Sequence, residues 1–172
     1  GGGVYAQDGA LTATSCTIIG NTSSANGGGI YAERATAALT GCDVSDNTTA
    51  FSGGGVVLSG GSVATLESCN VTGNRADALV QPSGGGGVYV TSSTAVLRNC
   101  DISGNQTDYW GGGLRFEGAN SEVTLLDCTL RDNYAEAYAG AVDAYYGGVL
   151  TMERCAVTRN TGRSIGTIRI RG

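Results

Sequence analysis

One spacing recurs six times without a miss: a cysteine, an aliphatic residue two positions later, and an asparagine three positions after that. The copies are Cys16-Ile18-Asn21, Cys42-Val44-Asn47, Cys69-Val71-Asn74, Cys100-Ile102-Asn105, Cys128-Leu130-Asn133 and Cys155-Val157-Asn160. Self-similarity at a period between about 20 and 50 residues is the signature of a solenoid, in which each repeat is one structural unit stacked on the next. The pattern therefore predicts a repeat protein with one coil for each copy.

Each copy opens on small residues, mostly glycine, followed by an aliphatic side chain. The copies begin near residues 1, 27, 53, 85, 111, 139 and 165. The period is 26 residues, lengthened to 32 after Val56 and to 28 after Leu114. We expect residues 1–172 to form one solenoid segment. Because solenoids need caps and neither end of the chain has one, we also expect the segment to be an uncapped fragment of a longer chain.

Apolar residues alternate with polar ones after the glycines, as in Val88 and Val90 or Leu114 and Phe116. A period of two is the pattern of a half-buried strand and not of a helix. A second strand ends three residues before each cysteine, and the cysteine with its aliphatic partner continues the inward face. Short strands joined by turns, with no helical segment between them, predict an all-β chain folded as a parallel β-helix of about six coils.

The repeats resemble those of right-handed parallel β-helix proteins of the polymorphic-outer-membrane-protein type, within the pectate-lyase-like superfold. Those repeats carry Gly-Gly-Ala-Ile followed by Phe-x-x-Asn. Here the first element reads Gly-Gly-Gly-Ile at residues 27–30, and the second reads Ile-Ile-Gly-Asn at 18–21, with an aliphatic residue in place of the Phe. The resemblance implies a right-handed helix and a surface-exposed adhesive or structural role.

Composition excludes several partners. The net charge is -5, and all ten basic residues are arginine, so no basic face for nucleic acid or an anionic membrane is expected. No apolar run is long enough to span a bilayer. The cysteines occur one per repeat at the same phase, which predicts a buried column of free thiols and not a disulfide framework. There is no His and no CxxC pair, so zinc-type metal binding is not indicated.

Two ladders are expected to run along the solenoid. The repeated asparagine predicts an internal ladder in which each side-chain amide bonds the equivalent group in the next coil. On the outside, aligned copies place opposite charges beside each other, which favours the register. The expected outer pairs are Asp8 with Arg34, Glu67 with Arg98, Asp127 with Arg154, Asp132 with Arg159, and Arg115 with Asp143, which then meets Arg169.

A candidate binding patch lies at one corner. An insertion at residues 75–84 holds the only proline, and loops on a rigid solenoid often carry function. Acidic side chains follow the asparagine by three positions in successive copies, with aromatic residues close by in sequence. The candidate residues are Asp77, Asp108, Glu136, Tyr109, Trp110, Tyr134 and Tyr138. Such a patch suits Ca²⁺ or a glycan; the alternative is a set of ordinary polar turns.

Two outward columns suggest further surfaces. Tyr5, Tyr31 and Tyr89 form an interrupted aromatic stripe, either a plain strand surface or a place to stack sugars or dock a partner sheet. A threonine column raises ice binding as a remote alternative, although charges in the next column interrupt the array. The threonines are Thr12, Thr65, Thr124 and Thr151.

The predicted function is a non-enzymatic extracellular or cell-surface scaffold, filament component or adhesive stalk, with other surface subunits or glycans as partners. The alternative is a β-helix that binds or processes polysaccharide. A hydrolase would need two carboxylates opposed across a cleft, and pectin-cleaving hydrolases of this fold also carry a catalytic-site His, which this sequence lacks. A lyase would need a calcium cluster and an Arg or Lys base on one sheet, and no predicted strand column has two carboxylates in adjacent coils. Among four N-glycosylation sequons, only that of Asn70 is expected on an outward strand position.

Overall fold

The computed structural model describes residues 1–77 and 84–172, and the strand assignment there comprises 25 strands in four parallel sheets. The strands are numbered along the chain, and every fourth strand joins the same sheet. Sheet 1 contains β1 (Val4–Gln7), β5 (Ile30–Glu33), β9 (Val56–Ser59), β13 (Val88–Thr91), β17 (Leu114–Glu117), β21 (Val142–Tyr145) and β25 (Ile168–Arg171). Sheet 2 contains β2 (Ala10–Thr14), β6 (Thr36–Thr40), β10 (Val63–Glu67), β14 (Thr94–Arg98), β18 (Glu122–Leu126) and β22 (Val149–Glu153).

The other two sheets are built from shorter strands. Sheet 3 contains β3 (Thr17–Ile19), β7 (Asp43–Ser45), β11 (Asn70–Thr72), β15 (Asp101–Ser103), β19 (Thr129–Arg131) and β23 (Ala156–Thr158). Sheet 4 contains β4 (Thr22–Ser23), β8 (Thr48–Thr49), β12 (Arg75–Ala76), β16 (Gln106–Thr107), β20 (Tyr134–Ala135) and β24 (Thr161–Gly162). Each strand pairs with its equivalent in the next coil, so the all-β solenoid predicted from the repeat is confirmed.

The inward faces of the sheets make one continuous apolar core. In β5, Ile30 and Ala32 are fully buried, while the residues between and after them are half-exposed. The same alternation recurs in β13 and β14. Side chains from successive coils stack in columns, because the strands are aligned without a register shift. Burial of a continuous apolar core is the main favourable contribution to folding of such a solenoid.

A residue in the left-handed region turns the chain at each corner. In the first coil Asp8 has φ 53° after β1, Ser15 has φ 50° after β2, and Gly20 has φ 68° after β3. Only glycine adopts this conformation without strain, and Asn or Asp tolerate it better than other residues. Arg154 and Arg159 also adopt it, with φ 51° and 52°.

The predicted asparagine ladder is present. The Nδ2 of each asparagine donates to the Oδ1 of the next, over 2.8–3.0 Å, from Asn21 through to Asn160. That Oδ1 also accepts the backbone N–H of the preceding asparagine, as from Asn47 to Asn74 at 3.0 Å. Each Nδ2 of the later copies reaches a backbone carbonyl of the coil before, as from Asn105 to Val71 at 2.8 Å. Buried polar groups are thereby satisfied.

The cysteine column follows the prediction only in the middle of the chain. Cys42, Cys69, Cys100 and Cys128 are buried free thiols, each donating to backbone carbonyls at 3.2–3.5 Å. Cys16 is exposed and Cys155 is half-exposed, which corrects the expectation of six buried thiols. These two lie in the first and last complete coils, where this chain supplies a neighbouring coil on one side alone. Burial raises the pKa of the Cys42 and Cys155 thiols.

The outer charge pairs are partly as predicted. Arg34 binds Asp8, Arg154 binds Asp127 and Arg159 binds Asp132, each through two nitrogens. In all three pairs both residues have left-handed φ, so the guanidinium and the carboxylate stack at a corner of successive coils.

Two of the expected pairs differ. Glu67 is in register with Arg98, but its carboxylate accepts a hydrogen bond from Asn99 Nδ2 at 3.0 Å. Arg115 is in register with Asp143, but it binds Glu117, two residues along its own strand, while Asp143 binds Arg169. Arg115 and Glu117 are two residues apart in β17, so their side chains lie on the same face of the strand. Arg115 Nη2 binds the Glu117 carboxylate there, and this contact along one strand replaces the contact between strands.

Candidate functional site

The three acidic residues of the predicted patch occupy one column at the corner after sheet 4. Backbone N–H groups of Asp77, Asp108 and Glu136 each donate to the coil before, in equivalent positions. Asp77 and Asp108 share Arg75, whose Nη2 lies 3.2 Å from Asp108 Oδ1. Glu136 binds Arg163 and accepts a hydrogen bond from the Tyr134 hydroxyl.

The corner carboxylates are therefore arranged as ion pairs along the solenoid and not as a shell of oxygens around one point. Across residues 1–77 and 84–172, no group of three or more Asp, Glu, Cys or His side chains could hold a metal ion. Ca²⁺ prefers about six to eight oxygen ligands. Residues 78–83 of the predicted insertion lie outside the described residues.

Aromatic side chains lie at the next corner, where the chain enters sheet 1. Trp110 and Tyr138 are bridged through their backbones in adjacent coils, and their rings stack at 6.3 Å with an interplanar angle of 24°. The Tyr109 ring meets Trp110 edge-on at 5.8 Å. Tyr134 lies apart from this stack, because it sits in sheet 4 and binds Glu136.

The Trp110–Tyr138 stack is one wall of a groove on the outer face of sheet 1. The groove has a volume of about 120 Å³. Its other walls come from the outward positions of β17, β21 and β25. The lining residues are Trp110, Arg115, Tyr138, Tyr145, Arg169 and Arg171. We refer to these six residues as the arginine–aromatic groove.

Arg115 is the buried member of the groove. Its carbon Cζ lies 4.0 Å from the centre of the Trp110 ring and 6.0 Å from that of Tyr89. Such cation–π contacts stabilise a guanidinium that has left water. Nη2 binds Glu117, whereas Nε and Nη1 have no hydrogen-bond partner among residues 1–77 and 84–172, and neither has Trp110 Nε1. A buried arginine that is 4% exposed with two unpartnered donors is unusual for a surface of paired charges.

Arg169 and Asp143 form a second ion pair beneath the groove. Asp143 is fully buried and binds Arg169 through both oxygens, with Nη2 2.9 Å from Oδ2. The Arg169 Cζ lies 4.2 Å from the centre of the Tyr138 ring and 5.6 Å from that of Tyr145. On the open side of the groove, the exposed Arg171 lies 5.7 Å from the Tyr145 ring.

Glu117 also anchors Tyr89, whose hydroxyl donates to the carboxylate. Burial, followed by this hydrogen bond, raises the pKa of Tyr89 well above its ordinary value. Tyr89 therefore stays protonated and keeps Glu117 oriented toward Arg115. One carboxylate thus joins a tyrosine and an arginine from adjacent coils.

Sequence reasoning identified Trp110 and Tyr138 but not Arg115, Arg169, Arg171 and Tyr145 as parts of the same surface. The available signal was register: Arg115, Asp143 and Arg169 occupy one outward column, and Glu117, Tyr145 and Arg171 the next. From sequence, Arg115, Asp143 and Arg169 are interpreted only as charge pairs, and no role is assigned to Glu117, Tyr145 or Arg171. Trp110 and Tyr138 lie beside these residues because the corner that carries them comes directly before the strands of sheet 1.

The two other surfaces predicted from sequence have the expected register. The rings of Tyr5 and Tyr31 contact each other with their centres 5.3 Å apart and their planes tilted by 45°, and Val57 separates them from Tyr89. The threonine column is interrupted by two apolar residues. In order it runs Thr12, Ala38, Thr65, Val96, Thr124 and Thr151.

Asn70 is exposed, as the glycosylation prediction requires, while Asn47 and Asn105 are fully buried. No helix in the described part of the chain is long and apolar enough to cross a membrane.

Comparison with known proteins gives a family and no individual relative. No curated protein and no solved structure matches the chain. The family described as right-handed β-helix region matches residues 2–169, which is nearly the whole sequence. The stacked parallel sheets and this match agree, and the chain belongs to the right-handed β-helix family.

Proposed function

We propose that this chain is a non-enzymatic scaffold of the cell surface or extracellular space, with polymorphic-outer-membrane-protein-type repeats, that displays its outer faces for adhesion or assembly. The observation that carries the proposal is the continuity of the asparagine ladder through all six copies. A rod of this kind holds outward side chains at fixed positions, which suits a stalk or filament component.

The outer surface supports the same role. Ion pairs at the corners join successive coils, as Arg154 to Asp127 and Arg159 to Asp132. Paired charges of both signs favour solubility without attracting a strongly charged partner. The solenoid can therefore present aromatic and arginine side chains locally while the rest of its surface carries paired charges with a net negative balance.

A second candidate is carbohydrate binding or processing, favoured by the arginine–aromatic groove. Aromatic rings and arginines are typical of sites for ring-shaped polar ligands. Glycoside hydrolysis needs one carboxylic acid and one carboxylate across the substrate. Glu117 and Asp143 lie beside this groove, and each binds one of its arginines. This arrangement supports ligand binding more than acid–base chemistry.

The test measures binding and turnover with the same ligands. Neutral, uronate-containing and sulfated polysaccharides are immobilised, and retention of the chain is measured on each. The soluble forms are then incubated with the chain, and new reducing ends and unsaturated uronate products are assayed. We expect retention on at least one of these glycans, with no products. Product formation that scales with protein concentration would refute the scaffold function.

A further inference from the structure

The arginine–aromatic groove carries an inference beyond the scaffold role and independent of it. We propose that the groove binds a small monoanionic ring compound, a single-ring carboxylate, with its carboxylate on Arg115 and Arg171 and its ring against Trp110 and Tyr138.

The unpartnered donors point to an acceptor. Arg115 is 4% exposed and lines the groove, yet its Nε and Nη1 have no acceptor in the part of the chain that the structure describes. Leaving a buried donor unsatisfied costs about 1–3 kcal/mol, and more for a charged group. The indole Nε1 of Trp110, in the same groove, is unpartnered as well. Three free donors beside one groove are the arrangement that a bound oxyanion satisfies.

Charge counting favours a single negative charge. The groove region contains Arg115, Arg169 and Arg171 against the carboxylates of Glu117 and Asp143, which leaves one uncompensated positive charge. A carboxylate matches that charge. A phosphate monoester carries about −1.5 to −2 at neutral pH and would exceed it.

Size and shape favour one ring. The volume of about 120 Å³ is well below the roughly 300–1,000 Å³ typical of sites for drug-sized ligands. Three of the six lining residues are aromatic (Trp110, Tyr138 and Tyr145), the other three are arginines, and none is aliphatic. Flat rings stack on such walls. A sugar acid and an aromatic acid share this chemistry, and the experiment separates them.

The chain offers a direct readout, because Trp110 is its only tryptophan. The single indole N–H resonance in a ¹H–¹⁵N spectrum therefore reports the groove. The probes are glucuronate and benzoate, with glucose and benzamide as neutral counterparts and phenyl phosphate as the dianion. We expect a saturable shift of the indole resonance with at least one acid, weaker or absent with the neutral compounds. Response to glucuronate alone assigns a sugar acid, and response to benzoate alone an aromatic acid.

Variants test the residues. Arg171→Gln removes an exposed cation at the mouth and should weaken binding about tenfold. Arg115→Gln should abolish binding while the circular-dichroism melt shows a folded chain. Arg154→Gln is the matched control: it removes the same charge from an exposed corner pair with Asp127 and should bind like the parent. If Arg115→Gln does not fold, Arg171→Gln decides alone.

Several results would overturn the inference. Equal shifts with acids and their neutral counterparts would show that the rings alone drive any binding. Tighter binding of phenyl phosphate than of benzoate would contradict the monoanion assignment. Unchanged affinity in Arg171→Gln, or in a folded Arg115→Gln, would remove the arginines from the site. No shift with either acid at saturating concentration would refute the site itself.

Discussion

The side-chain amide of Asn74 donates a 3.0 Å hydrogen bond to Oδ1 of Asn105 in the next coil, and both residues are fully buried. The same oxygen accepts the backbone N–H of Asn74 at 3.0 Å. Asn105 Nδ2 in turn reaches the carbonyl of Val71 at 2.8 Å. Asn105 Nδ2 also donates to Oδ1 of Asn133 in the following coil at 3.0 Å. One side chain therefore joins polar groups of the two neighbouring coils, and its loss should affect both.

Replacing Asn105 with Leu should destabilise the chain strongly. The substitution leaves the backbone N–H of Asn74 and one of the two N–H groups of its Nδ2 without an acceptor in the core, while the other Nδ2 hydrogen bond, to the Val44 carbonyl, remains. Each unsatisfied group costs about 1–3 kcal/mol. We expect the free energy of unfolding in urea to fall by about 3 kcal/mol or more. Asn70→Leu is the matched control, because Asn70 is exposed and the change should stay within about 0.5 kcal/mol. Equal effects at the two positions would contradict the ladder.

A glycine lies against five of the six ladder asparagines, from Asn21 to Asn133, and the sixth copy has Ala141 at the equivalent position. A Cβ on Gly55 would lie 2.7 Å from the Gly87 carbonyl oxygen and 2.9 Å from Asn74 Nδ2. We expect Gly55→Ala to lower the free energy of unfolding by about 1–3 kcal/mol, as overpacked cores do. Gly9→Ala is the control, since its Cβ would meet only the Gln7 carbonyl oxygen, at 3.6 Å. An unchanged urea midpoint for Gly55→Ala would contradict this prediction, because it would show that the coil shifts to make room for the added methyl group.

The repeat made most of the fold predictable. Because Cys100, Ile102 and Asn105 recur with fixed spacing, the strand phase of every coil follows from one copy. The asparagine ladder was predictable for the same reason: equivalent residues in aligned coils must be neighbours. The charge pairs at Asp8–Arg34 and Asp132–Arg159 follow from that alignment.

The groove was not predictable from the period alone. Arg115 is aligned with Asp143, yet it binds Glu117 on its own strand and leans over the Trp110 ring. A long side chain can choose between neighbours along a strand, across strands and at the next corner, and periodicity does not decide among them. The left-handed corners were also hidden, since Arg154 and Arg159 occupy them despite a poor intrinsic preference.

Asn70 stays the predicted acceptor for N-glycosylation in a eukaryotic secretory host. A sugar on Asn47 or Asn105 would occupy the Nδ2 that donates within the buried ladder. The exposed Asn70 side chain can take a glycan without loss of packing. Glycopeptide mass spectrometry should find Asn70 occupied and the buried sequons bare, with Asn70→Gln removing the glycan. Full occupancy at Asn47 and Asn105 in folded protein would contradict this prediction.

Corner ion pairs should make stability depend on acid pH. Hydrogen bonds from Arg159 lower the pKa of Asp132, and those from Arg154 lower the pKa of Asp127. A carboxylate whose folded pKa is depressed contributes stability above its unfolded pKa, and that contribution is lost as pH falls through the folded value. The temperature of the thermal midpoint should therefore decrease as the pH is lowered below about 4.

Asp132→Asn should reduce the slope of that fall, because one of the linked protons is removed. Both groups are exposed, so high salt should flatten the profile of the parent chain as well. The measurement is the thermal midpoint at a series of pH values in low and high salt. A midpoint that rises as the pH falls, or a parent profile identical to that of Asp132→Asn, would show that these pairs do not couple to folding.

Thiol accessibility should divide the cysteine column into three classes. Cys16 is exposed, Cys155 is half-exposed, and the four between them are buried beneath neighbouring coils. Burial raises the pKa of Cys42 and Cys155, whereas a hydrogen bond with Cys100 lowers the pKa of Cys69 and of Cys128. The protection of the four central thiols therefore rests on the coils that cover them and not on their ionisation. With a chromogenic disulfide reagent we expect one fast thiol, one slower, and four that react only on unfolding. Cys16→Ser should remove the fast phase and leave the others unchanged. Rapid reaction of all six thiols in the folded chain would instead require that coils separate readily, which the continuous asparagine ladder opposes.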